Sequence, residues 1–379
     1  MFSKTKTYLG IDIGAGGVKA VELELKKKRP VLSTYAIVSE KMPVHHEGRN
    51  INTTDRVLKI HPPEQREQIS KKSQEDFDEG KLDFYRAVLK SVRKQAKIKS
   101  TTATVSLPVS AVFHAVVNLP KIDKKDFDSI LNAEVKKLSP LPLEELSLDY
   151  QVISKNDDGV QQVLVNAVEK KRVNFYAKMF QGTGIVVEAL EPESTALSRV
   201  LIGKDQSVSM IVDIGSERTN FFIVENAVPM THHSIEMGGD RVNKILASRL
   251  GVGEEMIDQI KMDLFGSIFH NNTLVDEGKM LDLFSVAVEP IIKEIDYSFE
   301  VYLKQQLNQN KVPDKIVLTG GGAFMPYLAK QIENKFNKRC FVADPWAKLV
   351  YQEKLRPLLN KIGPRMSAVS YTHLRAHET

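Results

Sequence analysis

The chain alternates apolar and polar positions in some stretches and repeats apolar residues at helical spacing in others, and the switch marks its elements. Residues 8–13 form a short apolar run closed by Gly14-Ala15-Gly16-Gly17. Val18, Ala20, Val21, Leu23 and Leu25 then carry a strand pattern to the basic stretch Lys26-Lys27-Lys28-Arg29. With residues 31–39 this predicts three successive antiparallel strands, the first two joined by a glycine-rich turn. Leu82, Tyr85, Val88, Leu89, Val92 and Ala96 recur every three or four residues, predicting a helix over 82–97. Residues 41–80 fit neither pattern: Pro43, Pro62 and Pro63 interrupt a charged stretch that reads as a flexible insertion.

Residues 101–187 read as a small α+β unit. Strands are expected at 103–109 and 112–119, then a helix from about 123 carrying Phe127, Ile130, Leu131, Val135 and Leu138 and stopped by Pro140 and Pro142. Strands at 148–153 and 160–168 and a helix over 169–180 complete it. The stretch 100–120 lacks charge, but it holds Pro108, Pro120 and six Ser or Thr residues. A membrane-spanning helix needs ~20 mostly apolar residues, so two strands are the better reading.

The second half repeats the opening. Val212-Asp213-Ile214-Gly215 copies Ile11-Asp12-Ile13-Gly14, and strands at 208–214, 219–225 and 228–236 follow the same order. Helices are expected at 240–250, 253–264 and 276–307. A strand at 315–318 then ends in Thr319-Gly320-Gly321-Gly322 before a helix over 325–336.

Composition narrows the class. At 379 residues the chain has room for two or three lobes, and 42% hydrophobic with 27% charged residues is the mix of a folded domain. A net charge of +5 over that surface does not announce a nucleic-acid binder. A single cysteine, Cys340, fits a reducing compartment. No apolar leader precedes the first strand, so a soluble protein is expected, touching membrane through a partner or a surface face. Lys81, Arg86, Lys90, Arg93, Lys94, Lys97 and Lys99 face a single acid, Asp83, along the 82–97 helix. They read as a solvated face, with anionic lipid as the sharper alternative. His45-His46 and His232-His233 lack the acid or cysteine neighbours of a metal site.

The repeated turn carries the chemistry. A strand ending in Asp-x-Gly and folding back presents backbone N–H groups at a tip of small residues, a nest for phosphate oxygens. Gly14, Ala15, Gly16 and Gly17 form the first such tip, Gly215 and Ser216 the second, and Gly320, Gly321 and Gly322 a third loop entering a helix. Asp12 and Asp213 can each hold Mg²⁺ through its waters, because Mg²⁺ keeps much of its hydration shell.

These three loops resemble the two phosphate motifs and the adenosine motif of the actin-like ATPase superfamily. That resemblance implies an α/β, ribonuclease H-like two-lobed fold that binds ATP and Mg²⁺. Lys19, seven residues after Asp12, matches the superfamily's phosphate-contacting lysine. Glu191, in Glu191-Pro192-Glu193-Ser194-Thr195-Ala196-Leu197, matches its polar group near the γ-phosphate and is the expected catalytic residue. Gly238 and Gly239 in Met237-Gly238-Gly239-Asp240, and Asp258 and Lys261, match nucleotide-binding positions.

Within the superfamily the detail is similar to the type IV pilus assembly protein PilM family. The carriers are Leu9-Gly10-Ile11-Asp12-Ile13-Gly14, Leu107-Pro108, Leu119-Pro120, Leu138-Ser139-Pro140-Leu141-Pro142-Leu143-Glu144-Glu145 and Val342-Ala343-Asp344-Pro345. The resemblance implies a cytoplasmic ATP-binding scaffold at the inner face of the inner membrane, with slow or absent hydrolysis. Its expected partner is the cytosolic N-terminal peptide of PilN, docked in a groove lined by strands 103–109 and 112–119. Other pilus platform proteins and motor ATPases are further expected partners, nucleic acid is not, membrane contact runs through partners, and homo-oligomerisation stays open. The alternatives are an FtsA-like division protein, which shares the inserted domain, or a small-molecule kinase of the superfamily. The expected domains are 1–100 and 188–210 for the first lobe, 101–187 for the insert and 211–366 for the second lobe. Residues 367–379 are expected to be a non-native tail.

Overall fold

The strand patterns fold into two five-stranded sheets of the same topology and a smaller third sheet. The computed structural model describes residues 6–42, 79–120, 122, 125–155, 159–269, 277–304 and 311–369. The expected insertion falls mostly outside them, as does the tail from residue 370. In chain order the strands are β1 (Thr7–Gly14), β2 (Gly17–Lys26), β3 (Arg29–Val38), β4 (Thr102–Leu107), β5 (Val112–Leu119), β6 (Leu146–Lys155) and β7 (Gln161–Glu169). They continue as β8 (Val186–Pro192), β9 (Ser209–Ile214), β10 (Thr219–Glu225), β11 (Val228–Ile235), β12 (Lys315–Thr319) and β13 (Arg339–Val342).

The first sheet runs β3-β2-β1-β4-β8 and the second β11-β10-β9-β12-β13. In each, an antiparallel meander continues into two parallel strands: β1 pairs β4 and β4 pairs β8, as β9 pairs β12 and β12 pairs β13. The duplication read from one tetrapeptide therefore extends to whole sheets.

The inserted unit is smaller than 101–187. β4 belongs to the first-lobe sheet, and Phe175, Tyr176, Met179 and Phe180 of the helix Lys170–Phe180 bury in the first-lobe core with Leu9, Ile11 and Val105. What remains, about 109–169, is the sheet β5-β7-β6 under the helix Phe127–Leu138. Val116 and Ile153 of this unit pack on the second-lobe core, and His114 stacks on His232 with ring centroids 4.4 Å apart. Burial pushes the His114 pKa down to about 4, and burial with the neighbouring His114 and His233 imidazoles holds His232 well below its usual value.

The second-lobe boundary also moves. Trp346, Leu349, Leu359, Met366 and Val369 bury against Val21 and Leu23 of β2, so the chain returns to the first lobe after β13. Ser367, Ala368 and Val369 are buried within the fold, so a non-native tail cannot begin at 367. The expected helix over 325–336 is a short 3₁₀ turn, Gly321–Phe324, and a helix Leu328–Phe336. Pro326 lacks the N–H a continuous helix needs, and Tyr327 adopts φ +62° between the two pieces. No described helix is long and apolar enough to cross a membrane.

Candidate functional site

The two repeated hairpins meet tip to tip across a cavity of about 350 Å³. Asp12 pairs with Lys19 across β1 and β2, and Asp213 pairs with Asn220 across β9 and β10, at the same register. Lys19 Nζ donates to Asp12 Oδ2 at 2.7 Å, and Asn220 Nδ2 donates to Asp213 Oδ2 at 3.1 Å. Ser106 of β4 donates to the other oxygen of Asp12 at 2.5 Å. A β-carbon added to Gly16 would lie 3.2 Å from Ser216 Oγ, which measures how closely the tips approach.

Sequence reasoning missed Asn220 although the signal was present. It follows Asp213 by seven residues, as Lys19 follows Asp12. One lobe uses a cation at this position and the other a neutral amide, so the identity changed while the geometry stayed.

Glu191, the expected catalytic residue, does not line the cavity, whereas Glu193 does. Glu191 is the next-to-last residue of β8 and is buried, its carboxylate held by the Arg199 guanidinium. Pro192 ends the strand, and Glu193 opens the short helix Glu193–Leu197 and lines the cavity with Asp12 and Asp213. Burial, with the nearby charges of Asp213 and Asp12, holds the Glu193 pKa well above its usual value, against the pull of Lys19. Burial pushes Asp213 up to about 6, opposed by Lys19 and Asn220 and reinforced by Asp12. Burial alone would lower Lys19, but the Asp12 carboxylate outweighs it and leaves the ammonium above its ordinary value. Three carboxylates share this part of the cavity with one lysine.

Of the other expected residues, Gly14, Ala15, Gly16, Gly215, Ser216, Gly239, Asp258, Lys261, Gly320, Gly321 and Gly322 line the cavity. Gly17 and Gly238 stand behind its wall. A β-carbon on Gly17, at φ +129°, would lie 1.8 Å from the Val38 carbonyl oxygen, and one on Gly238 would lie 2.4 Å from that of Ser216. Their role is to let backbones approach. Gly320, at φ +80°, does the same against Asp213 and Ile214.

At the far end Asp258, Lys261 and Asn243 form a closed ring. Lys261 Nζ lies 2.8 Å from Asp258 Oδ1 and donates to Asn243 Oδ1 at 2.5 Å, while Asn243 Nδ2 donates to Asp258 Oδ1 at 3.1 Å. Burial would raise the Asp258 pKa, but Lys261, Asn243 and Arg365 together hold it below the usual range. Arg365, which also lines the cavity, comes from the C-terminal return and had no signal in the glycine motifs.

The family model described as type IV pilus assembly protein PilM matches residues 65–369, well over half of the chain. The chain belongs to the type IV pilus assembly protein PilM family. A solved PilM-PilN type IV pilus biogenesis complex contains a chain with the same fold, at 19% identity and TM-score 0.73, covering 98% of this chain and 99% of that one. The ethanolamine utilization protein EutJ of Carboxydothermus hydrogenoformans matches more distantly, at 12% identity and TM-score 0.50 over 98% of this chain and 92% of its own. The cell division protein FtsA of Borreliella burgdorferi is 23% identical over 208 residues, which are 50% of this chain and 49% of that protein. This chain thus matches about half the length of that curated relative. The fold is the actin-like two-lobed one, as the motifs implied. The family match begins after the first hairpin, so the pairing of Asp12 with Lys19 rests on the structure alone.

The donor set fits a magnesium nucleotide. Ser216 Oγ is buried in the cavity wall without a hydrogen-bond partner. Asp12, Asp213 and Glu193 crowd negative charge that a hydrated divalent cation would relieve.

Proposed function

We propose that this PilM-family protein is an ATP-binding scaffold of the type IV pilus assembly platform. The carrying observation is the convergence of Asp12, Lys19, Glu193, Asp213 and Asn220 from both lobes on one cavity. In this reading Asp12 and Asp213 hold Mg²⁺ through its waters. Lys19 and the tips at Gly14–Gly17 and Gly215–Ser216 hold phosphate oxygens. Gly320–Gly322 receive the adenosine, and Asp258, Lys261 and Asn243 face its ribose and base. Bound Mg²⁺ would supply positive charge against the carboxylates, and the nucleotide would join the lobes. Glu193 takes over the water-positioning role expected of Glu191, whose carboxylate is committed to Arg199.

The partner reading is the cytosolic N-terminal tail of PilN, which would hold this protein at the inner face of the inner membrane. Family membership and the likeness to the PilM-PilN complex support it. The groove first expected for that tail does not survive. β4 lies inside the first-lobe sheet, and Ala103, Val105, Leu107, Val112, Ala115 and Val117 all fill cores.

Titration calorimetry tests the nucleotide reading. Asp12→Ala, Lys19→Ala and Asp213→Ala should each weaken Mg-ATP binding by more than about tenfold, or ~1.4 kcal/mol. Glu191→Gln should lower the melting temperature while leaving affinity within a few-fold. Unchanged affinity in the Asp213 variant would remove the basis of the cleft assignment.

A further inference from the structure

The end of the first-lobe sheet remote from the cavity is a cluster of cations. Lys26, Lys27, Lys28 and Arg29, at the β2–β3 turn, are all exposed. Lys6 joins them, its carbonyl accepting the Leu25 N–H at 3.2 Å. Lys97 and Lys99 join from the segment between the helix Glu79–Gln95 and β4. Lys99 Nζ lies 3.9 Å from Glu24, which Lys26 also meets at 2.8 Å. The basic helix face noted in the sequence is less free than this end, because Arg86 and Arg93 donate to the carbonyls of Lys178 and Thr183.

The fold does not ask for lysine at this turn. Lys27 and Lys28 sit at φ +50° and +63°, the two positive values of a type I′ hairpin, where Asn-Gly is preferred. The corresponding β10–β11 turn of the second lobe has the same geometry and fills it with uncharged Asn226 and Ala227, at φ +51° and +61°. Lys97, at φ +52°, follows the helix where glycine is the usual residue. Lysine therefore occupies three conformationally unfavourable positions, all at one end of one lobe, while the duplicate lobe manages its turn without charge.

We propose that this end of the first lobe is a docking face for an anionic phospholipid bilayer. Six of the seven cations are lysines. Hydrated point charges on flexible stems suit phosphate groups scattered over a plane, whereas a fixed bidentate site would favour arginine. Val350, 44% exposed, lies beside the turn with its N–H donating to the Pro30 carbonyl at 2.9 Å, and offers an apolar contact at the headgroup level. β1 runs from this end to the cavity, roughly 25 Å at about 3.3 Å per residue. Docking therefore leaves the nucleotide cleft open to solvent. The inference does not depend on the nucleotide reading.

The test is flotation of the full chain with vesicles of phosphatidylcholine, with and without phosphatidylglycerol, at low and high salt. Wild type should float only with the anionic vesicles, and high salt should release it, because exposed charges are screened. The triple variant Lys27→Asn, Lys28→Gly, Arg29→Ser gives the turn its preferred residues, so it should fold as well as wild type or better. It should bind the vesicles at least about tenfold more weakly. Removing three exposed cations of the second-lobe helix, Arg241, Lys244 and Arg249, should change binding little. Equal binding by the triple variant, equal loss from the second-lobe variant, or no preference of wild type for anionic vesicles would overturn the proposal. So would binding to short duplex DNA with none to vesicles.

Discussion

At the residue scale the cavity is built under electrostatic tension. Asp213 binds its proton more tightly in the folded chain than in the unfolded one, its pKa rising from 3.8 to about 6. A raised carboxylate costs stability when it ionises. Through Asp213, ligand-free protein should therefore lose stability as pH climbs through about 4 to 6. Glu193 shifts in the same direction and adds to the loss. Asp213→Asn removes one of these charges and keeps the shape. Thermal melts of the ligand-free variant should flatten over that window and lie a few degrees above wild type at neutral pH, while Mg-ATP affinity falls. A variant less stable than wild type at neutral pH would show that the carboxylate is held for structure and not for a cation. The trade of stability for a charged site is what a binding cleft is expected to show.

At the element scale the two hairpins do different work with neighbouring glycines. Gly17 has positive φ and no space for a β-carbon beside Val38, so Gly17→Ala should disrupt the β1–β2 hairpin and with it the first lobe. Gly16 lacks that backbone constraint, and its β-carbon would meet only Ser216 across the cleft. Gly16→Val should therefore leave the ligand-free melting temperature nearly unchanged and weaken nucleotide binding by about tenfold or more, by holding the tips apart. Calorimetry beside thermal melts separates the two effects. This contrast also marks what the chain makes legible. Alternation and the repeated Asp-Ile-Gly revealed the hairpins and the glycine tips that line the cavity, because backbone approach forces small residues at fixed positions. β8 and β13 were not anticipated: Val186–Pro192 and Arg339–Val342 are short and lack clear alternation. Without β8, nothing in the pattern showed that Glu191 lies in a strand and turns away from the cavity that Glu193 lines. Arg365 was invisible for another reason, since only tertiary return of the chain brings it to the cavity.

At the scale of the whole molecule, the C-terminal return decides which parts unfold together. The second lobe ends with β13, and Trp346, Leu359, Met366 and Val369 then pack on the outer side of β2 and β3. Trp346 is fully buried and its indole N–H donates to the Leu359 carbonyl at 2.8 Å. Val350 forms a parallel bridge with Val31. Thr319, at the end of β12, donates to Ser367 at 2.7 Å, so the same segment touches the third glycine loop. The return thus fastens the second lobe to the first without passing through the nucleotide. Trp346→Ala empties a large volume and orphans a carbonyl, and large-to-small changes of this kind cost roughly 3–5 kcal/mol. Hydrogen exchange should show the loss concentrated in β2, β3 and residues 345–369, with β9 and β10 keeping more of their protection, because Met210, Val212, Ile214, Phe221 and Ile223 pack in a core apart from that cluster and only Ile211, Phe222 and Val224 share a cluster with Ala368 of the return. If protection fell equally in both lobes, the two would form one cooperative unit and the return would not be a separable clasp.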